Sequence, residues 1–174
     1  MQSEAYLFEL RPLFFLQEKL DEKIMGNLDF EIDEDTIKEI QLKKILAFRV
    51  EVGELLNALR LHKYWSKKGS MERESVADEY ADGLHFLLSI GGDKKVKDYA
   101  YRGIYINEIT EKDLVWLFDQ LMTMPWQQLK KDDFLLGLEM YLRLGELLGF
   151  NFEEIRQAYA KKNIENHARQ ESGY

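Results

Sequence analysis

In the stretch Glu51-Val52-Gly53-Glu54, two acids stand three residues apart, and Glu79-Tyr80-Ala81-Asp82 repeats this spacing further along the chain. Residues three apart share one face of a helix, where two like charges repel each other. Apolar residues surround both pairs, namely Phe48, Val52, Leu55 and Leu56 around the first, and Val76, Tyr80, Leu84 and Phe86 around the second. Because half-buried carboxylates of like charge need compensation, the two pairs predict a site for a cation.

An antiparallel arrangement of the two helices would bring together all four carboxylates, those of Glu51, Glu54, Glu79 and Asp82. Carboxylate oxygens are hard ligands, which suits Mg²⁺ or Mn²⁺ and not zinc. The alternative is that each acidic pair is a solvated helix face. Gly53 and Gly83 lie inside the predicted helices, where glycine costs about 1 kcal/mol relative to alanine. They would provide either room for a ligand or close helix packing.

Helical periodicity on both sides of these pairs predicts an all-α bundle of about five or six helices, in a single domain over residues 1–174. The predicted helices span about 3–25 with a break at Pro12, then 36–65, 70–90, 110–124, 127–148 and 151–169. Their start signals are Thr36 with Glu39, Ser70, Thr110 with Asp113, and Asn151 with Glu154. No strand pair is predicted, and residues 93–110 are predicted as a helix fragment and a connection.

Composition restricts the classes of function. The 174 residues are 45% hydrophobic and 32% charged, which is typical of a globular protein. The net charge of −8 does not favour nucleic-acid binding, although bound cations would still admit a nucleotide. The absence of cysteine excludes thiolate metal sites and cysteine nucleophiles. We expect a cytoplasmic protein without a membrane partner, because neither an apolar run of about 18 residues nor a basic leader occurs.

The C-terminal segment carries a second group of polar residues. Lys162, Asn166 and Arg169 recur at a spacing of three to four residues and therefore line one helix face. Cations and amides in this pattern are suited to holding phosphate oxygens. The alternative is that the two basic residues only complement the dipole of a last helical turn.

These motifs resemble those of the all-α dimeric dUTPase family, part of the all-α NTP pyrophosphatase superfamily that includes the MazG-like enzymes. The two acidic motifs, with residues 83–86 after the second, indicate the superfamily. Leu16-Gln17-x-x-Leu20-Asp21 resembles the family's N-terminal motif, and Lys63-Tyr64-Trp65 resembles its Lys-x-Trp element. The most specific resemblance is to the C-terminal motif, whose residues here are Tyr159, Lys162, Asn163, Asn166, Arg169, Gln170, Gly173 and Tyr174.

The resemblance implies Mg²⁺-dependent hydrolysis of dUTP to dUMP and pyrophosphate by a metal-activated water, with Mn²⁺ as a second candidate metal and dUDP as a second candidate substrate. It implies metal binding by Glu51, Glu54, Glu79 and Asp82, with Glu51 also catalytic. It implies base or nucleotide contacts from Gln17, Trp65, His85 and Asn166, and phosphate contacts from Lys63, Lys162 and Arg169. The family acts as a homodimer, limits uracil incorporation into DNA and supplies dUMP for thymidylate synthesis.

Several alternatives stay open. A tryptophan after an apolar helix, such as Trp65, is more often a core residue than a base contact. His85 follows Asp82 by three residues, so it could contact either the base or that carboxylate. The chain could also be a related pyrophosphatase acting on dCTP or modified nucleotides, or a non-catalytic dimeric regulator.

Overall fold

The computed structural model describes residues 5–104 and 110–173, which form six α-helices and a two-stranded sheet. The helices are α1 (Arg11–Gly26), α2 (Glu34–Leu59), α3 (Arg73–Asp93), α4 (Glu111–Thr123), α5 (Lys131–Leu147) and α6 (Phe152–Glu171). The strands β1 (Ala5–Glu9) and β2 (Ala100–Ile104) pair antiparallel. The predicted all-α class is confirmed. Within the described ranges, no helix has the length and apolar character needed to cross a bilayer.

Helices α2 and α3 form an antiparallel pair. Lys44 of α2 lies 3.0 Å from Asp93 at the end of α3, whereas Glu51, later in α2, approaches Asp82, earlier in α3. The chain turns back between the two helices, where the Met71 N–H donates to the carbonyl of Ala58 at 2.9 Å. Helix α3 also packs against α1, α5 and α6, so it carries its acidic face in the middle of the bundle.

Two buried tyrosines join α3 to α5. Tyr80 Oη donates to the Tyr141 carbonyl at 3.2 Å, Tyr141 Oη donates to the Tyr80 carbonyl at 2.7 Å, and their rings stack 4.8 Å apart. Gly83 makes this approach possible, because a Cβ there would lie 2.2 Å from Tyr141 Oη. Close packing therefore explains Gly83, whereas nothing lies within 4 Å of a Cβ placed on Gly53.

The N-terminal segment differs from the sequence prediction. Residues predicted as the start of a helix form β1, and α1 begins only at Arg11, with Pro12 in its first turn, where a missing N–H breaks no helical bond. The partner strand β2 lies in the segment predicted as a helix fragment and connection. The prediction that no strand pair exists is therefore wrong, because pairing between distant segments leaves little trace in local periodicity.

Two predicted helix starts are wrong. Asp33 rather than Thr36 caps α2, since its carboxylate accepts a hydrogen bond from the Thr36 N–H at 2.7 Å. Ser70 does not cap α3, which begins at Arg73 after Glu72, a residue without a side-chain cap bond. The capping box at the start of α6 is confirmed, with Asn151 and Glu154 bonded to each other's backbone N–H at 2.9 and 2.8 Å.

Other predicted helix ends shift by several residues. Helix α2 ends at Leu59 and does not continue to Trp65, because Arg60 adopts a left-handed conformation with φ of 56°. Helix α3 continues past its predicted end at residue 90, through Gly91 and Gly92, and stops at Asp93. Helix α5 begins at Lys131, later than predicted. The helix predicted over residues 110–124 is confirmed as α4, which begins after its cap, Thr110, and has Asp113 bonded to the Thr110 N–H.

Candidate active site

Three carboxylates from two helices lie close together, and two of them, those of Glu51 and Asp82, line a cleft between α1, α2, α3 and α6. Oxygens of Glu51 on α2 and of Glu79 and Asp82 on α3 all lie within 4.8 Å of one another, and the three side chains are half-buried. Glu54 is outside this group, although it lines the same cleft, which has a volume of about 600 Å³. The structure thus brings three of the four predicted metal ligands together and leaves the fourth nearby.

Burial raises the pKa of each clustered acid, and nearby carboxylates add to the effect. The pKa of Glu51 is raised to about 7, first by burial and then by the charges of Asp82, Glu54 and Glu79. Burial also raises the pKa of Glu79, with Glu54 and Asp82 adding to the effect. For Asp82, burial raises the pKa against the opposing hydrogen bond from Lys162. Lys162 therefore compensates only part of the negative charge of the cluster, and the hard carboxylate oxygens fit a divalent cation such as Mg²⁺.

Helix α6 contributes basic and amide groups to the same cleft. Lys162 is 8% exposed, and its Nζ lies 2.8 Å from Asp82 Oδ2. Burial lowers the pKa of Lys162, but its hydrogen bond to Asp82 and the nearby carboxylates raise that pKa overall. Asn166 and Arg169 also line the cleft, with Arg169 Nη1 donating to Asn166 Oδ1 at 3.3 Å. The three residues predicted to share a helix face therefore line one cleft with Glu51 and Asp82, and Lys162 contacts Asp82 directly.

A buried hydrogen-bond network joins α1, α3 and α6 beside the acids. Tyr159 Oη donates to Gln17 Oε1 at 2.8 Å, and Gln17 Nε2 donates to Asp21 Oδ1 at 2.7 Å, so the orientation of the Gln17 amide is fixed. His85 Nδ1 lies 2.8 Å from the same Gln17 oxygen, and its ring stacks on Tyr159 at 4.0 Å. Because burial lowers the pKa of His85 to about 4, the ring is neutral near pH 7.

The network bears on the sequence interpretation that pairs His85 with the Asp82 carboxylate. Its ring nitrogens face the Gln17 side chain and the Tyr159 carbonyl, the second at 3.3 Å, rather than Asp82. His85 and Gln17 are both buried, and both still line the cleft. Gln17 and His85 therefore form part of the cleft wall and make no direct bond to the three clustered acids among the described residues.

Two of the predicted contact residues lie elsewhere. Lys63 and Trp65 follow the end of α2, and neither lines the cleft. Lys63 Nζ donates to Asn57 Oδ1 at 3.0 Å, and Trp65 is 67% exposed with its ring against that of Tyr64. The alternative that Trp65 is a core residue is wrong, because the turn at Arg60 directs this segment to the surface.

Sequence reasoning assigned no role to several residues that support the site. Ser89 Oγ donates to Asp21 Oδ2 at 2.6 Å, and Asp78 Oδ2 lies 3.8 Å from Lys162 Nζ. Tyr159 belonged to a quoted motif but received no function. Helical spacing could have revealed two of them, since Asp78 precedes Asp82 by four residues and Ser89 follows His85 by four.

Comparison with known proteins identifies the family of the chain. A comparison with curated proteins gave no match. A family model described as dUTPase matches residues 9–174, which include the acid cluster, the Gln17 network and the basic face of α6. Because this match covers nearly the whole chain, the chain belongs to the dUTPase family and is a dUTP diphosphatase.

Proposed function

We propose that the chain cleaves dUTP to dUMP and pyrophosphate in a Mg²⁺-dependent reaction, with Mn²⁺ able to replace Mg²⁺. The observation that carries the proposal is one cleft in which a cluster of half-buried acids faces cations from α6. A triphosphate has the charge that such a pairing of metal ligands and basic side chains would recognise. The cleft volume of about 600 Å³ is in the range of small-molecule sites.

Glu51, Glu79 and Asp82 are proposed to hold the metal, with Glu54 as a further ligand. A divalent ion bound by these residues would neutralise phosphate charge and would favour ionisation of a nearby water. Glu51 is proposed to accept the proton of the attacking water, because its carboxylate lies within 4.8 Å of the other clustered acids and lines the cleft. Lys162 and Arg169 then bind phosphate oxygens, which keeps the triphosphate in line with that water.

The nucleotide's base is proposed to lie against Gln17 and His85, with Asn166 nearby. Both Gln17 lone pairs are directed at Tyr159 and His85, so the group left for a ligand is the second Nε2–H. An N–H donor suits a carbonyl of uracil and repels the 4-amino group of cytosine. Lys63 and Trp65 remain candidate contacts only through a rearrangement of the turn after α2.

We also propose that the chain acts as a homodimer. Helix α2 exposes Leu42, Leu46 and Val50 at four-residue spacing, and α4, which packs against α2, exposes Val115, Trp116 and Met122. Exposed apolar faces of this kind mark protein interfaces. A two-fold contact would cover the same face in both copies, since isologous dimers use one patch twice.

A nucleotide panel tests the proposed function. Pyrophosphate release from dUTP, dCTP, UTP and dTTP, and orthophosphate release from dUDP, are measured with and without Mg²⁺. We expect metal-dependent release of pyrophosphate from dUTP, with dCTP far slower. Preference for dCTP would reassign the substrate, and absence of turnover with every nucleotide would favour the non-catalytic regulator. In a cytoplasmic setting the reaction would limit uracil incorporation into DNA and supply dUMP for thymidylate synthesis.

A further inference from the structure

Lys162 forms an ion pair with one of the three clustered acids. Its Nζ lies 2.8 Å from Asp82 Oδ2, and further from Asp78 at 3.8 Å and Glu165 at 3.9 Å. The side chain is 8% exposed, so water provides little of its solvation. The ammonium therefore supplies positive charge to Asp82, the acid that also belongs to the candidate metal cluster.

An ammonium and a divalent ion compete at the same carboxylate. Both need an oxygen of Asp82, and cations held at one carboxylate repel each other strongly where water is scarce. Lys162 has other acceptors close by, because Asp78 and Glu165 lie just beyond hydrogen-bonding distance. A phosphate oxygen in the cleft would be a further charged acceptor for Lys162, and its use would leave Asp82 free for the metal.

We propose that the Lys162 ammonium pairs with Asp82 in the nucleotide-free enzyme and competes there with the divalent ion. When a nucleotide binds, its phosphates become the partners of Lys162, and Asp82 is then free to bind the divalent ion. This inference rests on the proposed metal site and adds a coupling to it. Nucleotide binding raises metal affinity because it removes the competitor, and metal raises nucleotide affinity by the same factor. The free enzyme thereby holds metal weakly until its substrate is present.

The test measures Mn²⁺ binding by calorimetry, and free Mn²⁺ by electron paramagnetic resonance, with and without a non-hydrolysable dUTP analogue. The variant is Lys162→Gln, which keeps a hydrogen-bond donor near Asp82 and removes the charge. Lys162→Met is the second variant, and thermal melts establish that each is folded. We expect nucleotide-free Mn²⁺ affinity to rise about tenfold in both variants, and the further gain on adding the analogue to shrink by a similar factor.

Lys161→Gln is the matched control. Lys161 is the neighbouring residue and carries the same charge, but it pairs with Glu74 at 3.1 Å and Asp78 at 3.6 Å on the surface. It therefore reports the general effect of one lost charge on Mn²⁺ binding.

Mn²⁺ affinity in the Lys162 variants that is equal to or weaker than that of Lys161→Gln overturns the inference, because Lys162 would then be neutral or helpful to metal binding. Wild-type protein that binds no Mn²⁺ with or without the analogue overturns the proposed metal site as well. The two failures are therefore distinguishable.

Discussion

At the residue scale, Glu51 occupies the point where α2 meets the two acids of α3. Glu51→Gln keeps the size of the side chain and removes its ability to accept a proton. We expect the variant to fold and to lose pyrophosphate release from dUTP by about 10²–10⁴-fold, as for the loss of a general base. Glu39→Gln on the exposed face of the same helix is the control. Near-wild-type turnover in Glu51→Gln would reject the catalytic role.

The buried His85 predicts how stability depends on pH. Its pKa falls from 6.5 to about 4 on folding because of burial, so the unfolded chain binds a proton that the folded chain excludes between these values. The stability of the folded state is therefore lost as pH falls from about 6.5 to 4. Relative to His85→Gln, we expect the free energy of unfolding of the wild type to drop by about 2–3 kcal/mol over this window.

Urea unfolding at several pH values measures this difference. His62→Gln, on the exposed surface, is the matched control. Parallel pH curves for the wild type and His85→Gln would contradict the neutral, buried state of the imidazole.

At the element scale, Gly83 and Gly53 differ in whether close helix packing requires a glycine. Gly83→Ala would place a Cβ 2.2 Å from Tyr141 Oη, which is held by its bond to the Tyr80 carbonyl. We expect a loss of about 1–3 kcal/mol in stability from this overpacking. Gly53→Ala lies in open space and should gain up to about 1 kcal/mol from helix propensity. Thermal or urea unfolding compares the two, and equal effects would contradict the packing explanation.

The elements also separate what the sequence could predict from what it could not. The acids at three-residue spacing and the Asn151 capping box could be predicted, because each joins residues that are three apart in the sequence. Helix geometry alone brings such residues together. The pairing of β1 with β2 and the contact between Lys162 and Asp82 join segments far apart in sequence. Such contacts depend on tertiary packing, which periodicity does not encode. The position of Lys63 was missed for a related reason, since one left-handed residue, Arg60, ended the helix early.

At the scale of the whole molecule, the exposed apolar faces of α2 and α4 predict self-association. We expect Trp116→Glu, and independently Leu46→Glu, to shift a dimer towards monomer, because each places a charge on a face that the partner would bury. Light scattering or analytical ultracentrifugation measures the mass. Phe15→Glu, an equally exposed aromatic on α1, is the control. A wild type that is monomeric at micromolar concentration would contradict the proposal.

The reciprocal bonds between Tyr80 and Tyr141 have a mechanical consequence. Tyr80 lies on α3 between Glu79 and Asp82, so sliding or rotating α3 against α5 would break both tyrosine bonds at once. The contact between α3 and α5 therefore holds Glu79 and Asp82 in position. We expect the adjustment to different ions or nucleotides to come from α6, because its long Lys162 and Arg169 side chains can reorient while α3 stays in place.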